Sequence, residues 1–427
     1  MASMTSATAA PRERTHAAPL MTTCRACKST EMYMFLPLGA HPPANAFLRG
    51  DQLSTGAPAY GLNTHACLKC GLIQVPNVIP PDFFREYVYV PSAAETMHEH
   101  FGALAAYVAR ALLRQSRDLV VDIGSNDGLF LSKLNALGVR TLGIEPARNL
   151  TEVARAKGVE VVNEYFTPAT ATSVREQYGP ASVIVTTNTF NHIDDLHEFM
   201  AGVTTLLDDS GTFIIEVPHA GDLIEKNEFD TVYHEHVSEF TVQSLVDLFA
   251  FFDMTVVDIA RLAVHGGSMR VFGRRHAAGD SATPAVAEWL DSEARARLFE
   301  AATYDAFAQR VEKIRTGLLE LLADLKRQGK RIAGYGAPAK GNTLLNYYGI
   351  GSETLMYLAD RNALKHGLYS PGMHIPVVPA ERVLEDQPDY LLILAWNFQD
   401  EIIRQQEEFR RRGGRFIVPI PEPRVIA

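Results

Sequence analysis

The chain has 427 residues, 47% of them hydrophobic and 21% charged, with a formal net charge of -10. That length predicts two to four domains and ample chain for a buried core. The acidic balance disfavours a nucleic-acid polymer as partner, because such binding needs a basic surface that releases counterions, and no apolar run reaches the roughly 18 residues of a membrane span.

Met1 to about Pro19 is rich in Ala, Ser and Thr and is expected to be a disordered lead-in (residues 1–20). Arg12 and Arg14 precede no long apolar segment, so this stretch does not read as a signal peptide. A cytoplasmic, reducing location is expected. All four cysteines then fall into two pairs, Cys24-x-x-Cys27 and Cys67-x-x-Cys70. Two such knuckles bring four thiolates around a tetrahedral Zn2+, and a site filled by four protein ligands is structural. His65, beside the second knuckle, is expected to be a neighbour of the metal site and not a ligand. The 39-residue insert between the pairs must hold a small subdomain, and residues 21–90 read as one zinc-binding module.

Met97, Phe101, Leu104, Ala105, Val108 and Leu112 recur at helical spacing. From Asp118 short buried strands alternate with helices: Leu119–Ile123, Thr141–Glu145, Val159–Val162, Ser182–Thr187 and Thr212–Val217, with a helix over Asp195–Leu207. Met254–Ile259 and Met269–Phe272 complete the set. This alternation predicts a parallel α/β sheet covered by helices, over residues 91–285. A long helix is expected over Ser292–Gln328. A second α/β unit then fills 286–427, with strands at Arg331–Gly334, Thr354–Ala359, Tyr390–Ala395 and Arg415–Val418 and helices at Ala339–Tyr347 and Phe398–Arg412.

The first strand ends in Asp122-Ile-Gly124-Ser-Asn126-Asp-Gly128. Its glycines permit a tight turn and close approach of a ligand to the main chain. Glu145 ends the next strand, where an acid can hold a ribose diol. With one early glycine the turn is not built for a pyrophosphate. The arrangement resembles the class I S-adenosylmethionine (SAM)-dependent methyltransferases. That resemblance implies that Asp122, Gly124, Asn126, Gly128 and Glu145 line the cofactor site. It places Glu164 near the adenine amino group, with Tyr165 beside it, and Asn188 at the end of the fourth strand where methyl donor and acceptor meet.

Tyr233-His234-Glu235-His236 is dense in groups that can move or hold a proton near neutral pH. Carbon methylation needs such equipment, because the carbon nucleophile is made by removing an acidic proton. With the Cys pairs, Asn188-Thr-Phe-Asn-His192, Val264-His265-Gly-Gly-Ser-Met-Arg270, Gly334-Tyr335-Gly-Ala-Pro-Ala-Lys340-Gly341 and Ala395-Trp-Asn397, the chain resembles the zinc-containing sugar C-methyltransferases that act on nucleotide-linked keto-deoxysugars. The resemblance covers about residues 24–397. It implies His236, Tyr233, Glu235 and His192 as catalytic candidates, with His236 or Tyr233 as base, and a substrate carried on thymidine diphosphate (TDP). Tyr87 and Tyr89 match aromatic positions near the sugar pocket, held over the sugar by the zinc module. His234 stands where relatives can carry Asp.

Gly334-x-Gly336-x-x-Ala339 between a strand and a helix, with Asp360 ending the next strand, also fits a dinucleotide turn. An NAD-dependent sugar-nucleotide oxidoreductase is therefore the rival reading, and an O-methyltransferase a second one. The diphosphate of a nucleotide sugar would serve the same turn. Tyr335, Lys340, Asn342, Asn397, His265 and Arg270 are the further substrate candidates. A monomer or small homo-oligomer is expected.

Overall fold

The computed structural model describes residues 21–54, 58–264, 267–276 and 281–427. The expected lead-in and His265 lie outside the described residues. The chain begins with three antiparallel strands, β1 (Met32–His41), β2 (Tyr60–Cys67) and β3 (Ile73–Gln74). The insert between the cysteine pairs is thus largely one hairpin, whose inner face adds Phe35, Leu36, Leu38 and Leu62 to a core.

The central sheet follows, with β4 (Leu119–Ile123), β5 (Arg140–Ile144), β6 (Val161–Val162), β7 (Ala181–Thr187) and β8 (Leu207–Pro218) all parallel. Every residue of β4, Leu-Val-Val-Asp-Ile, is buried, as expected for a strand covered on both faces. A two-residue strand, β9 (Ser238–Glu239), then leaves this sheet and pairs with β3. The chain returns with β10 (Met254–Leu262) and β11 (Ser268–Arg275), the latter antiparallel to both β10 and β8. The resulting order is β10-β11-β8-β7-β4-β5-β6. Connections leave β4 in opposite directions, so a crevice opens at its carboxyl end, where ligands of such sheets bind.

The expected helix over Ser292–Gln328 is two helices, Pro284–Arg295 and Ala301–Arg327. The break at Ala296–Glu300 puts Arg297 at φ 57 and tucks Leu298 into the core, where the Tyr304 hydroxyl donates to the Leu298 carbonyl at 2.6 Å. Packing against the zinc module overrides a helical pattern here. The C-terminal sheet has β12 (Ile332–Tyr335), β13 (Leu358–Asp360), β14 (Val377–Pro379), β15 (Tyr390–Ile393) and β16 (Arg415–Val418) parallel, and an antiparallel edge strand β17 (Arg424–Ile426). Its order, β14-β13-β12-β15-β16-β17, puts β12 at a second switch point. The helix expected over Phe398–Arg412 is two short ones, Gln399–Gln405 and Glu407–Arg411. The molecule is a small zinc module, a class I Rossmann-like sheet and a second Rossmann-like α/β sheet in series. Among the described residues, no helix is long and apolar enough to cross a membrane.

Candidate active site

The four Cys are buried and free of disulfides, and their sulfurs lie within 4.8 Å of one another. Cys24 Sγ to Cys70 Sγ and Cys27 Sγ to Cys67 Sγ are each 3.6 Å. Zinc–sulfur bonds of about 2.3 Å set tetrahedral edges of about 3.8 Å, so the donor set fits Zn2+ with no open position. His65 stands apart, its Nδ1 3.2 Å from the Asn63 carbonyl.

At the carboxyl edge of β4 a cavity is lined by Asp122, Gly124, Asn126, Glu145, Asn188, His192, Tyr87, Tyr89, Phe84 and Pro146, among others. Gly124 has φ 75, and a Cβ there would run into the Thr189 side chain. Asn126, itself left-handed at φ 51, donates its N–H to Glu145 at 2.8 Å. The Ala147 N–H holds the other Glu145 oxygen at 2.8 Å. These two bonds fix the carboxylate in place at the cavity. Asp122 is buried, and its Oδ1 has no partner. Burial, then the Glu145 and Glu216 charges, push its carboxyl up to about 8.

Three cofactor candidates fall elsewhere. Gly128, at φ 73, packs against Ala154 and Val159, where a Cβ would crowd them, and does not line the cavity. Glu164 is exposed and pairs with Arg85 at 3.7 Å. Tyr165 donates to the Pro81 carbonyl and lies under the Arg85 guanidinium at 4.6 Å. Neither lines the cavity; together they fasten the 81–85 segment that carries Phe84 over it.

The Tyr233–His236 segment does not itself line this cavity; it touches two residues that do, His192 and Tyr87. Tyr233 Oη and His236 Nε2 are 2.6 Å apart, with ring centroids at 4.0 Å. The His236 ring lies 5.2 Å from that of His192, which in turn stacks on Phe84 at 5.9 Å. Burial and then Lys340 lower His236 to about 3, and burial and His236 hold His192 well below the usual range. Both imidazoles are therefore neutral. Glu235 Oε2 accepts from the Tyr87 hydroxyl at 2.6 Å and from Asn45 at 2.7 Å. This contact ties the residues of the zinc side to the Tyr233–His236 segment. His234 points away: its Nε2 is 2.9 Å from the Tyr60 carbonyl on β2, a packing position. Glu239, which the sequence pattern passed over, stands 3.0 Å from His236 Nδ1.

The C-terminal candidates divide. Lys340 sits over the Trp396 ring at 4.6 Å and its charge reaches Glu228, Asp230, His236 and Glu239. Trp396 donates to buried Asp230 at 2.8 Å, locking the two units together. Asn342 donates to the Ala44 carbonyl at 2.8 Å and keeps a buried, unpartnered Oδ1. Asn397 is half-buried beside Trp396. Tyr335 accepts from Gln406 at 3.1 Å and lines a second cleft, between the C-terminal sheet edge and residues Ser92–His98. Arg270 is committed elsewhere, to buried Glu216 at 2.5 Å, with His100 on the second Glu216 oxygen at 2.7 Å. Asp360, the acid of the dinucleotide pattern, gives both oxygens to its own turn, accepting from the Ala337 and Asn362 N–H groups at 2.6 and 2.7 Å.

A family model described as C-methyltransferase C-terminal domain matches residues 263–421, a methyltransferase domain model matches 97–259, and a zinc binding domain model matches 24–84. C-methyltransferase NovU of Streptomyces niveus is 39% identical over 405 residues, covering 95% of this chain and 96% of its own. The chain belongs to the zinc-containing C-methyltransferase family. Magnesium protoporphyrin IX methyltransferase of Synechocystis, solved with bound SAM, covers 42% of this chain and 79% of its own at 10% identity, with a TM-score of 0.32. A SAM-dependent methyltransferase of Anabaena variabilis covers 45% and 97% at 16% identity, also with a TM-score of 0.32.

As a C-methyltransferase of this family the protein uses SAM, with zinc as its structural metal. The cavity fits that cofactor: an unpartnered buried carboxylate oxygen on Asp122 suits a cationic ligand, Glu145 suits a diol, and Gly124 leaves main chain open. When bound, SAM supplies an electrophilic methyl on a sulfonium.

Proposed function

We propose that this C-methyltransferase acts on a TDP-linked 4-keto-deoxysugar, methylating the carbon next to the ketone through an enolate. The observation that carries this reading is the half-buried Tyr233–His236 pair at 2.6 Å, packed against His192 of the cofactor cavity. A neutral imidazole bonded to a phenol, with a second neutral imidazole 5.2 Å away, can take a carbon-bound proton and hold the oxyanion that results. Tyr233 or His236 takes the proton; His192 donates to the enolate oxygen. Glu235 orients Tyr87, and Tyr87 and Tyr89 border the sugar. Lys340, Asn342, Tyr335 and Asn397 face the nucleotide and its diphosphate from the C-terminal unit. Asp122, Gly124, Asn126, Glu145 and Asn188 hold SAM, and Gly128 shapes the turn behind them. Four reduced cysteines on zinc suit a cytoplasmic enzyme, working as a monomer or small homo-oligomer.

Incubation with SAM and a panel of TDP-4-keto-6-deoxysugars, with product analysed by mass spectrometry and NMR, tests the substrate. A mass gain of one methylene placed on a ring carbon is expected. Methyl on oxygen, or no product from any panel member, rejects the reading. His236→Ala is expected to lose turnover by orders of magnitude while calorimetric SAM binding stays near wild type.

A further inference from the structure

Glu239 has no part in the steps above, yet its placement is specific. It is buried on β9, with Oε1 3.0 Å from His236 Nδ1 and no partner for Oε2. The far ring nitrogen, Nε2, is 2.6 Å from Tyr233 Oη. A carboxylate only accepts, so an ionised Glu239 requires the proton on Nδ1. Nε2 then carries a lone pair, and the Tyr233 O–H must donate to it. The three groups form a line: carboxylate, imidazole, phenol.

We propose that Glu239 is the positioning residue of a Glu239–His236–Tyr233 proton relay, in which Tyr233 is the group that meets the substrate carbon. The proposal rests on the enolate reading. In the step, the substrate C–H bond breaks and its proton goes to Tyr233 Oη. The Tyr233 proton moves to His236 Nε2, and the C–H electron pair becomes the enolate. His236 is left as an imidazolium facing the Glu239 carboxylate, which offsets its charge. That proton leaves to solvent after methyl transfer. The logic is that of a carboxylate fixing a tautomer and steadying the cation that forms. A nucleophilic hydroxyl is replaced here by a proton-carrying one.

The surrounding charges are named groups. Lys340 faces Glu239 and His236 from the helix Ala339–Tyr348. Glu235, Asp230 and Tyr89 face Tyr233, and His192 faces His236. Burial raises the Glu239 carboxyl well above its ordinary range, and Lys340 opposes this. The ionised, relay-competent form therefore gains as pH rises, and turnover is lost as pH falls through that raised value.

The test compares wild type with Glu239→Gln and Glu239→Asp on the accepted keto-sugar. Three readouts are taken: the kcat and KM split, the kcat–pH profile, and deuterium uptake at the substrate carbon with S-adenosylhomocysteine in place of SAM. For Glu239→Gln, kcat and deuterium uptake are expected to fall together by at least about 100-fold, with KM within about threefold and the rising pH limb flattened. Glu239→Asp recovers part of both rates. A Glu239→Gln enzyme with deuterium uptake near wild type, or with the pH limb intact, overturns the relay. Nitrogen-15 NMR of the His236 ring in ligand-free protein at pH 9 needs no substrate. A protonated Nδ1 that becomes mixed in Glu239→Leu supports the relay even if no keto-sugar is accepted; an unprotonated Nδ1 in wild type overturns it.

Discussion

Asp122 shows how one residue links a fold to a charge state. It is the penultimate residue of a strand that is buried throughout, so its carboxyl loses water and resists ionisation, up to about 8. A cationic ligand favours the ionised form, so binding releases a proton below that value. The affinity for SAM is therefore expected to rise between pH 6.5 and 9, and to rise less for S-adenosylhomocysteine, which lacks the sulfonium. Asp122→Asn should flatten the SAM curve in calorimetry. Gly124→Ala is expected to weaken SAM roughly tenfold or more, because it adds a Cβ at positive φ against Thr189; equilibrium binding checks it. Gly124, Glu145 and the Tyr233–His236 run are legible in the sequence because their chemistry is tied to local spacing. Glu164 and Arg270 were not placed by that logic. Each finds a partner remote in sequence, Arg85 and Glu216, that no local pattern reveals. Glu239 was missed for a different reason: it lies only three residues beyond His236, but no motif spacing shows that its carboxylate turns back onto the ring.

At the scale of elements, the two-residue strand β9 joins the zinc module to the Tyr233–His236 segment. Glu239 pairs with Ile73, three residues beyond Cys70, and the Thr241 hydroxyl donates to the Cys70 carbonyl at 2.5 Å. Gln74 reaches Cys24 Sγ at 3.4 Å, and Arg25 binds the Val75 and Val237 carbonyls at 2.8 and 3.3 Å. The metal therefore organises the knuckles that hold β3, and β3 holds the segment that carries His236. Zinc removal by chelation is expected to speed hydrogen exchange across residues 236–241 and to lower kcat at least tenfold. SAM binding should change little, because its cavity is built on β4, β5 and β7. Exchange measured by mass spectrometry with and without restored zinc checks this. The strands of both α/β units could be anticipated because short buried runs alternate with helices. The break at Ala296–Glu300 could not, since burial of Leu298 against another module decides it.

For the whole molecule, the decisive contacts cross between units. Trp396 to Asp230, Asn342 to Ala44, Asn362 to Val88 and the paired Leu48 and Tyr369 backbones draw the C-terminal unit onto the other two. This seating brings Lys340 to the Tyr233–His236 segment. Lys340→Met is expected to raise KM for the nucleotide sugar about tenfold, leaving SAM affinity unchanged; steady-state kinetics and calorimetry separate the two. The sequence by itself determined the four-cysteine cluster, the two α/β units and the glycine turn after β4, because each is encoded by residues close in the chain. Tertiary structure alone decided that Glu164 and Arg270 are engaged by Arg85 and Glu216, and that Lys340 converges on His236. Those relations depend on strand pairing and on packing between units, which link residues up to three hundred positions apart in the chain.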